Sequence, residues 1–339
     1  MITRLLPCLC LGFFAAAQAA PAQPAEPGQC HALLVGGLAG QEPYSRWYSD
    51  WLARFQTVLT KSNGVPAGNV TVLSGDAATA GAIIDAIGKF AKRSKPQDQF
   101  ILFIVGHGEI TQTAPTLTLR GPDLTVQQLA DALSGLQAKS QVILNFSASS
   151  GDFLKTLASP NRVNITATSP TELEEPVFAE FFLRGLESKQ ADADKNGTIT
   201  MLEAYNWTAQ QTALWISRWQ LTSDIHSDGP TVWKASGKET IEIFEKLYSG
   251  LTIRKLDPAS DRAAADAIVD VLPPGGQITE DWSSRRVVDE HALLEDCGQA
   301  IGVSEIGDKG LQPILGQKPG DPGYLAAHTV LGQPAPPNP

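Results

Sequence analysis

The sequence contains few cysteines, no cluster of basic residues and no long apolar run after its amino terminus. Cysteine accounts for 4 of 339 residues, and the formal net charge is −10. An acidic chain without a lysine or arginine cluster is a poor ligand for nucleic acid or an anionic membrane. No later stretch reaches the roughly 20 apolar residues that a membrane span requires. A protein, a peptide or a cation is therefore the expected partner.

The amino terminus has the composition of an export signal. It reads "MITRLLPCLCLGFFAAAQAAPAQPAEP", with a basic start, a short apolar run and the small-residue site Ala17-Gln18-Ala19. We interpret residues 1–19 as a signal peptide that is removed, and residues 20–29 as a proline-rich linker. The mature protein is then expected in the periplasm or outside the cell.

Removal of the signal peptide also removes two of the cysteines, Cys8 and Cys10. The mature chain keeps Cys30, before the first predicted strand, and Cys297 near the carboxyl terminus. In an oxidising compartment these two cysteines can form a disulfide. The alternative is that they are two separate buried thiols, since spacing along the chain does not show that they meet.

Short apolar runs alternate with helical patterns and predict an α/β fold. Because helices separate the runs, we expect a mainly parallel, twisted sheet covered on both faces, as in a three-layer sandwich. We assign this fold to residues 30–250, and an irregular, partly disordered extension to residues 251–339. The predicted strands are "HALLVGG" (31–37), "NVTVLSG" (69–75), "QFILFIVG" (99–106), "QVILNF" (141–146) and "RVNITATS" (162–169).

Two of these strands end in residues of chemical interest. "FILFIVGHGE" ends the third strand with His107, and "QVILNFSASSGDF" ends the fourth in small residues. This order, over residues 30–215, resembles the caspase-like clan of cysteine peptidases, especially its legumain-type and bacterial members. The resemblance implies a caspase-like sandwich in which His107 is the catalytic base. It further implies a nucleophile at the end of the next strand, with backbone amides near Gly108 stabilising the oxyanion.

The second motif departs from that family. Aligning Ser150-Gly151 with the family's Ser-Gly places Ala148 where the cysteine is expected. A competing register aligns Asn145 with the family's acidic residue and places Ser147 at the nucleophile, but it requires one inserted residue. Since successive side chains of a strand alternate between faces, Ser147 and Ser149 point away from His107 if Ala148 points towards it.

The departure leaves two functional hypotheses. The first is a pseudo-peptidase, a module that binds a peptide or protein segment without cleaving it. The second is a peptidase or other hydrolase in which Ser147 or Ser149 attacks a carbonyl and His107 takes the proton.

A twelve-residue loop between two predicted helices fits a calcium site. "DADKNGTITMLE", residues 192–203, has an oxygen donor at each EF-hand ligand position and Gly197 at the turn. We therefore predict an EF-hand-like helix-loop-helix that holds a structural Ca²⁺, the alternative being an acidic turn. The predicted ligands are Asp192, Asp194, Asn196, Thr198, Thr200 and Glu203.

Overall fold

The structure is a computed structural model, and a seven-stranded sheet forms its centre. It describes residues 27–40, 44–110, 114–168, 177–212, 293–295, 300–302, 304–306, 310–321 and 323–334. The strands of this sheet are β1 (Cys30–Gly36), β2 (Val70–Ser74), β3 (Gln99–Gly106), β7 (Ser140–Ser147), β8 (Arg162–Thr166), β9 (Leu293–Glu295) and β10 (Ala300–Gly302). Two smaller sheets contain β4 (Gly108–Ile110), β5 (Pro115–Leu117) and β6 (Leu124–Thr125), and β11 (Ser304–Ile306) and β12 (Gly310–Gln312).

The five predicted strands are present and pair in parallel. The strand order is β10-β9-β8-β7-β3-β1-β2. The neighbouring pairs β8-β7, β7-β3, β3-β1 and β1-β2 are parallel. β9 is antiparallel to β8, and β10 is antiparallel to β9. The prediction of a mainly parallel sheet is therefore confirmed.

Helices connect the parallel strands, and further helices follow β8. They are α1 (Tyr44–Thr57), α2 (Ala80–Ala91), α3 (Val126–Ser134), α4 (Leu154–Leu157), α5 (Phe178–Ser188), α6 (201–212) and α7 (Tyr324–Ala327). In the described ranges, no helix combines the length and the apolar character needed to cross a bilayer.

The alternation of side chains along the strands produces a core on each face of the sheet. In β7, Val142, Leu144 and Phe146 belong to a core shared with α1, α5 and α6. Ile143 belongs to a second core, shared with α2 and α3. The two faces are named here the α1 face and the α3 face. Two buried faces require near-continuous apolar strands, which is the pattern the sequence has.

The end of the chain is more regular than predicted. The extension beyond residue 250 contributes β9 and β10 to the central sheet, so a boundary at residue 250 does not separate it from the fold. Ile314, Ala326 and Leu331 are buried in the core of the α1 face. Strands of three residues are too short for an alternating pattern to reveal them, which is why the sequence favoured irregular structure.

Candidate functional site

His107 follows β3 and lies on the α1 face of the sheet. Its ring centroid is 5.4 Å from that of Tyr44 and 6.0 Å from that of Tyr48, both on α1. Its Nε2 atom lies 2.7 Å from the carbonyl oxygen of Ala39. Because a carbonyl oxygen only accepts hydrogen bonds, Nε2 carries the proton and donates. In the neutral ring, Nδ1 is then the nitrogen that can take a proton, as a general base must.

Ala39 is a functional residue that sequence reasoning missed. Its carbonyl orients the imidazole, which is the role of the third group in a nucleophile–base–orienter arrangement. The loop that carries it is fixed by Gly37 N, which donates to Val105 O at 2.8 Å, and Leu38 N, which donates to Thr118 O at 3.0 Å. A side chain at Gly37 would put its Cβ 2.9 Å from Thr118 O. The glycine-rich stretch after β1 was the available signal, but a backbone acceptor has no signature in side-chain types.

Ser147 lies on the α3 face, opposite His107. It is the last residue of β7, and its hydroxyl donates to Asn145 Oδ1 at 2.8 Å. Asn145 and Ser147 share the face of Ile143, while Phe146 between them packs on the α1 face. The sheet therefore separates the Ser147 hydroxyl from the imidazole. This position does not fit a nucleophile that His107 activates.

Ala148 begins the turn after β7 and is 1% exposed. Because β7 ends at Ser147, Ala148 stands in the turn and no longer follows the alternation of the strand. Its carbonyl oxygen lies 1.9 Å from where a Cβ at Gly108 would stand, so only glycine fits position 108 without a shift. Gly108, the predicted oxyanion residue, thus contacts the turn directly. The residue types at positions 108 and 148 allow the two strand ends to approach closely.

Ser149 is the residue of this turn with an unusual backbone. It is fully buried and adopts a left-handed conformation, with φ 52° and ψ 22°. Such a conformation is uncommon for a residue other than glycine and is held by its surroundings. The next residue, Ser150, has a hydroxyl that lies 3.0 Å from Thr168 Oγ1. Ser149 as a nucleophile stays a prediction.

Asp152 adds a carboxyl group close to the turn. Its backbone N–H donates to Ser149 O at 3.2 Å, while its Oδ2 atom is buried without a hydrogen-bond partner. Burial raises the pKa of this carboxyl above its ordinary value. Sequence reasoning did not select Asp152, because an aspartate after a strand end is usually solvated.

The predicted calcium loop closes on itself. The closest carboxylate oxygens of Asp192, Asp194 and Glu203 all lie within 4.8 Å of one another. Asp192 accepts hydrogen bonds from Asn196 N at 3.1 Å and from Gly197 N at 2.9 Å. Glu203 Oε1 accepts from Ala193 N at 3.1 Å and thereby joins the end of the loop to its start. Gly197 is left-handed with φ 87°, as a sharp turn there requires.

The two threonines of the loop act within it. Thr198 N donates to Asn196 Oδ1 at 2.8 Å, and Thr200 Oγ1 donates to Glu203 Oε2 at 2.9 Å. Thr200 also accepts from Glu203 N at 3.2 Å, so the pair caps the start of α6. The structure thus brings Asp192, Asp194 and Glu203 together and holds Asn196, Thr198 and Thr200 in the same turn. Carboxylate and carbonyl oxygens are the ligands that Ca²⁺ prefers.

Cys30 begins β1 as a free, buried thiol. Its Sγ atom donates to Gln99 Oε1 at 3.4 Å, and burial raises the pKa of the thiol to about 12. Its predicted partner, Cys297, lies outside the described residues, so the disulfide stays a prediction. The signal peptide at residues 1–19 lies outside them as well.

Comparison with known proteins gives little help. No family model matches the chain, and no curated protein matches it. Among solved structures, it is similar to the crystal structure of protein GSU0716 from Geobacter sulfurreducens, with 17% sequence identity and a TM-score of 0.39. The match covers 54% of this chain and 89% of that chain. A likeness this distant supports no family assignment and no function.

Proposed function

We propose that the chain is an exported caspase/legumain-like domain protein that binds a peptide or protein segment without cleaving it. One observation carries the proposal. His107 is oriented by Ala39 O through Nε2, yet the position expected for cysteine holds Ala148. A methyl group cannot attack a carbonyl. A peptidase-like site that has lost its nucleophile would then remain for binding.

The location of the crevice favours binding as the remaining role. It lies at the carboxyl ends of β3 and β7, where open parallel sheets bind ligands. Gly108 packs on the carbonyl of Ala148, which brings the two strand ends close together. An extended segment recognised through its main chain fits such an edge. Export of the module is supported by the composition of residues 1–19 alone.

A hydrolase that uses Ser149 is the second candidate. The left-handed backbone of Ser149, φ 52°, is the observation that favours it, because strained residues at strand ends are often functional. A serine hydroxyl requires a well-placed base, and His107 is the base that the crevice offers. Ser147, its hydroxyl bonded to Asn145 on the other face, is no longer a comparable candidate.

Ala148→Cys tests whether the crevice is that of a peptidase without its thiol. A cysteine beside an imidazole has a lowered pKa and is alkylated faster at neutral pH. We expect iodoacetamide to modify the new thiol at pH 7, and His107→Ala in the same chain to slow that reaction about tenfold or more. The wild-type chain, which lacks the new thiol, gives the background rate of alkylation. Its Cys30, with a pKa of about 12, is a thiolate in only about one molecule in 100,000 at pH 7.

Ser147→Cys is the matched control, since it introduces the same thiol one residue earlier on the α3 face. Its alkylation rate is expected to be independent of His107. Equal rates for Ala148→Cys with and without the imidazole, in variants that melt like the wild type, would remove the basis of the proposal.

We also propose that residues 192–203 bind one structural Ca²⁺ between α5 and α6. The support is the convergence of carboxylates from both ends of the loop, Asp192 and Asp194 from one end and Glu203 from the other. Calcium at 100 times its dissociation constant stabilises a fold by about 2.7 kcal/mol. We therefore expect the melting temperature of the full chain to rise by a few degrees in CaCl₂ relative to EGTA.

Glu203→Gln keeps a side-chain acceptor for Thr200 but removes the charge, so it is expected to abolish the calcium-dependent rise. Asp85→Asn removes an equal charge from an exposed position on α2 and is expected to leave that rise unchanged. A melting temperature of the wild type that is the same in both buffers would refute the calcium site.

A further inference from the structure

A second pocket lies at the opposite edge of the sheet from His107. Its volume is about 150 Å³, and it is lined by the starts of β7 and β8 on one side and the end of the chain on the other. Ser140 and Asn161 line the first side, while Leu325, His328 and Gln333 line the second. A cavity of about this volume accommodates a benzene ring.

The pocket is cationic in an acidic protein. None of the described residues that line it is acidic, while Lys139 and His328 are both part of it. Within the described ranges, Lys139 makes no ion pair and the side-chain amide of Asn161 has no hydrogen-bond partner. His328 Nδ1 donates to Tyr324 O at 2.7 Å, which fixes the ring and leaves Nε2 as its other polar atom. Lys139 and Asn161 offer hydrogen-bond donors to a ligand, whereas Nε2 of the neutral His328 ring accepts a hydrogen bond.

A buried arginine adds positive charge behind the pocket wall. Arg162 Nε and Nη2 donate to the wall residue Gln141 at 3.0 and 2.9 Å, and Nη1 donates to Leu157 O. Its hydrogen bonds thus go to neutral groups. The carboxylate of Glu295 supplies the negative charge that acts on the guanidinium. Burial lowers the pKa of Arg162, against the opposite effect of Glu295. A buried cation with neutral partners favours an anion nearby.

The wall formed by the chain end is held in place. Gln99 is fully buried, and its Nε2 donates to Val330 O at 2.9 Å and to Gln333 O at 3.1 Å. The same atom donates to Ser140 Oγ at 3.0 Å, so the Ser140 hydroxyl proton can point to a ligand. Leu325 and Val330 supply apolar surface. The site is therefore ordered before a ligand arrives, which lowers the entropic cost of binding.

We infer that this pocket binds a small organic carboxylate, with Lys139 and Asn161 at the carboxylate and Leu325 and Val330 against its apolar body. The inference is independent of the proposed crevice function, since the two sites lie at opposite edges of the sheet. Inorganic phosphate and a neutral molecule of the same shape are the alternatives that an experiment must separate.

Calorimetric titration of the full chain with benzoate, benzamide and inorganic phosphate tests the inference. Benzoate is expected to bind saturably and about fivefold to tenfold more tightly than benzamide, because charge-assisted hydrogen bonds are the stronger ones. Lys139→Gln is expected to weaken benzoate binding about threefold. Lys155→Gln, which removes an exposed lysine outside the pocket, is expected to leave it unchanged.

Three results would overturn the inference. Equal affinities for benzoate and benzamide would show that charge is not recognised. Phosphate binding as tightly as benzoate would show that the apolar wall contributes nothing. Equal losses of benzoate affinity in Lys139→Gln and Lys155→Gln would show that the anion binds elsewhere on the surface.

Discussion

At the scale of single residues, two hydrogen bonds decide how the crevice is interpreted. Ala39 O holds His107 by Nε2, and Asn145 Oδ1 accepts the hydroxyl proton of Ser147. The first bond gives the imidazole the tautomer of a base, while the second occupies a serine on the far face of the sheet. Motif spacing indicates neither bond, because one partner is a backbone carbonyl and the other is an ordinary strand residue.

Asp152 yields a prediction at the same scale. Because burial raises its folded-state pKa, the ionised carboxylate destabilises the fold once the pH is above the unfolded value of about 3.9. Asp152→Asn is therefore expected to have a higher melting temperature than the wild type at pH 7, and the difference is expected to vanish at about pH 3, where both side chains are neutral. Thermal melts of the two proteins across this range measure it.

Asp85→Asn is the control, because Asp85 is exposed on α2. A gain in melting temperature of equal size in this control would assign the effect to net charge rather than to the buried Oδ2 atom of Asp152.

At the scale of elements, a buried carboxylate joins α1 to α5. Glu180 is 2% exposed and accepts hydrogen bonds from Trp51 Nε1 at 3.0 Å, Arg54 Nη1 at 2.6 Å and Arg184 Nε at 2.6 Å. Burial alone would raise the pKa of Glu180, but Arg54 and then Arg184 outweigh it and hold the pKa below its usual value. The ion pairs and the indole together fix the two helices that cover the α1 face.

Glu180→Gln is expected to cost about 3 kcal/mol of unfolding free energy at pH 7, because it leaves two guanidinium groups without their buried counter-charge. A lowered folded-state pKa gives stability that is present above the unfolded value of about 4.3 and lost as the pH falls through the folded value. The difference between wild type and variant is therefore expected to shrink below about pH 4. Denaturant titrations at several pH values measure it.

Glu187→Gln is the matched control. Its carboxylate also binds Arg54 but is 37% exposed, so a loss below about 1 kcal/mol is expected. Equal losses of unfolding free energy in Glu180→Gln and Glu187→Gln would show that the burial of Glu180 adds nothing to stability.

The sequence predicted the central elements well and the peripheral ones poorly. Buried parallel strands require continuous apolar runs, so β1, β3, β7 and β8 could be identified before the structure was known. α3 begins at a local signal of this kind, a capping box that Thr125 forms with Gln128. β9 and β10 could not be identified, since β9 pairs with β8 through residues more than 100 positions apart and β10 pairs in turn with β9.

At the scale of the whole molecule, the end of the chain connects distant parts of the fold. Met201 N, in the proposed calcium loop, donates to Thr329 O at 2.8 Å, and Asn63 Nδ2 donates to Leu331 O at 2.8 Å. Gly332 N donates to Gln99 Oε1 at 2.8 Å, which completes the contacts of that buried amide. The carboxyl-terminal segment is therefore an integral part of the fold and forms one wall of the second pocket.

The two candidate sites differ in how far the sequence foretold them. His107 and Ala148 could be selected because each stands at the end of an apolar run that predicts a strand. The second pocket was not predicted, because Lys139, Asn161 and His328 come from three separate segments that only folding brings together.

The central claim is that the His107 crevice has no working nucleophile. The most direct test is to incubate the purified full chain with a serine-directed fluorophosphonate at neutral pH and to weigh the intact protein by mass spectrometry. We predict no covalent adduct, in the wild type as in His107→Ala. An adduct on Ser149 that forms in the wild type and disappears in His107→Ala would contradict the account and establish the hydrolase instead.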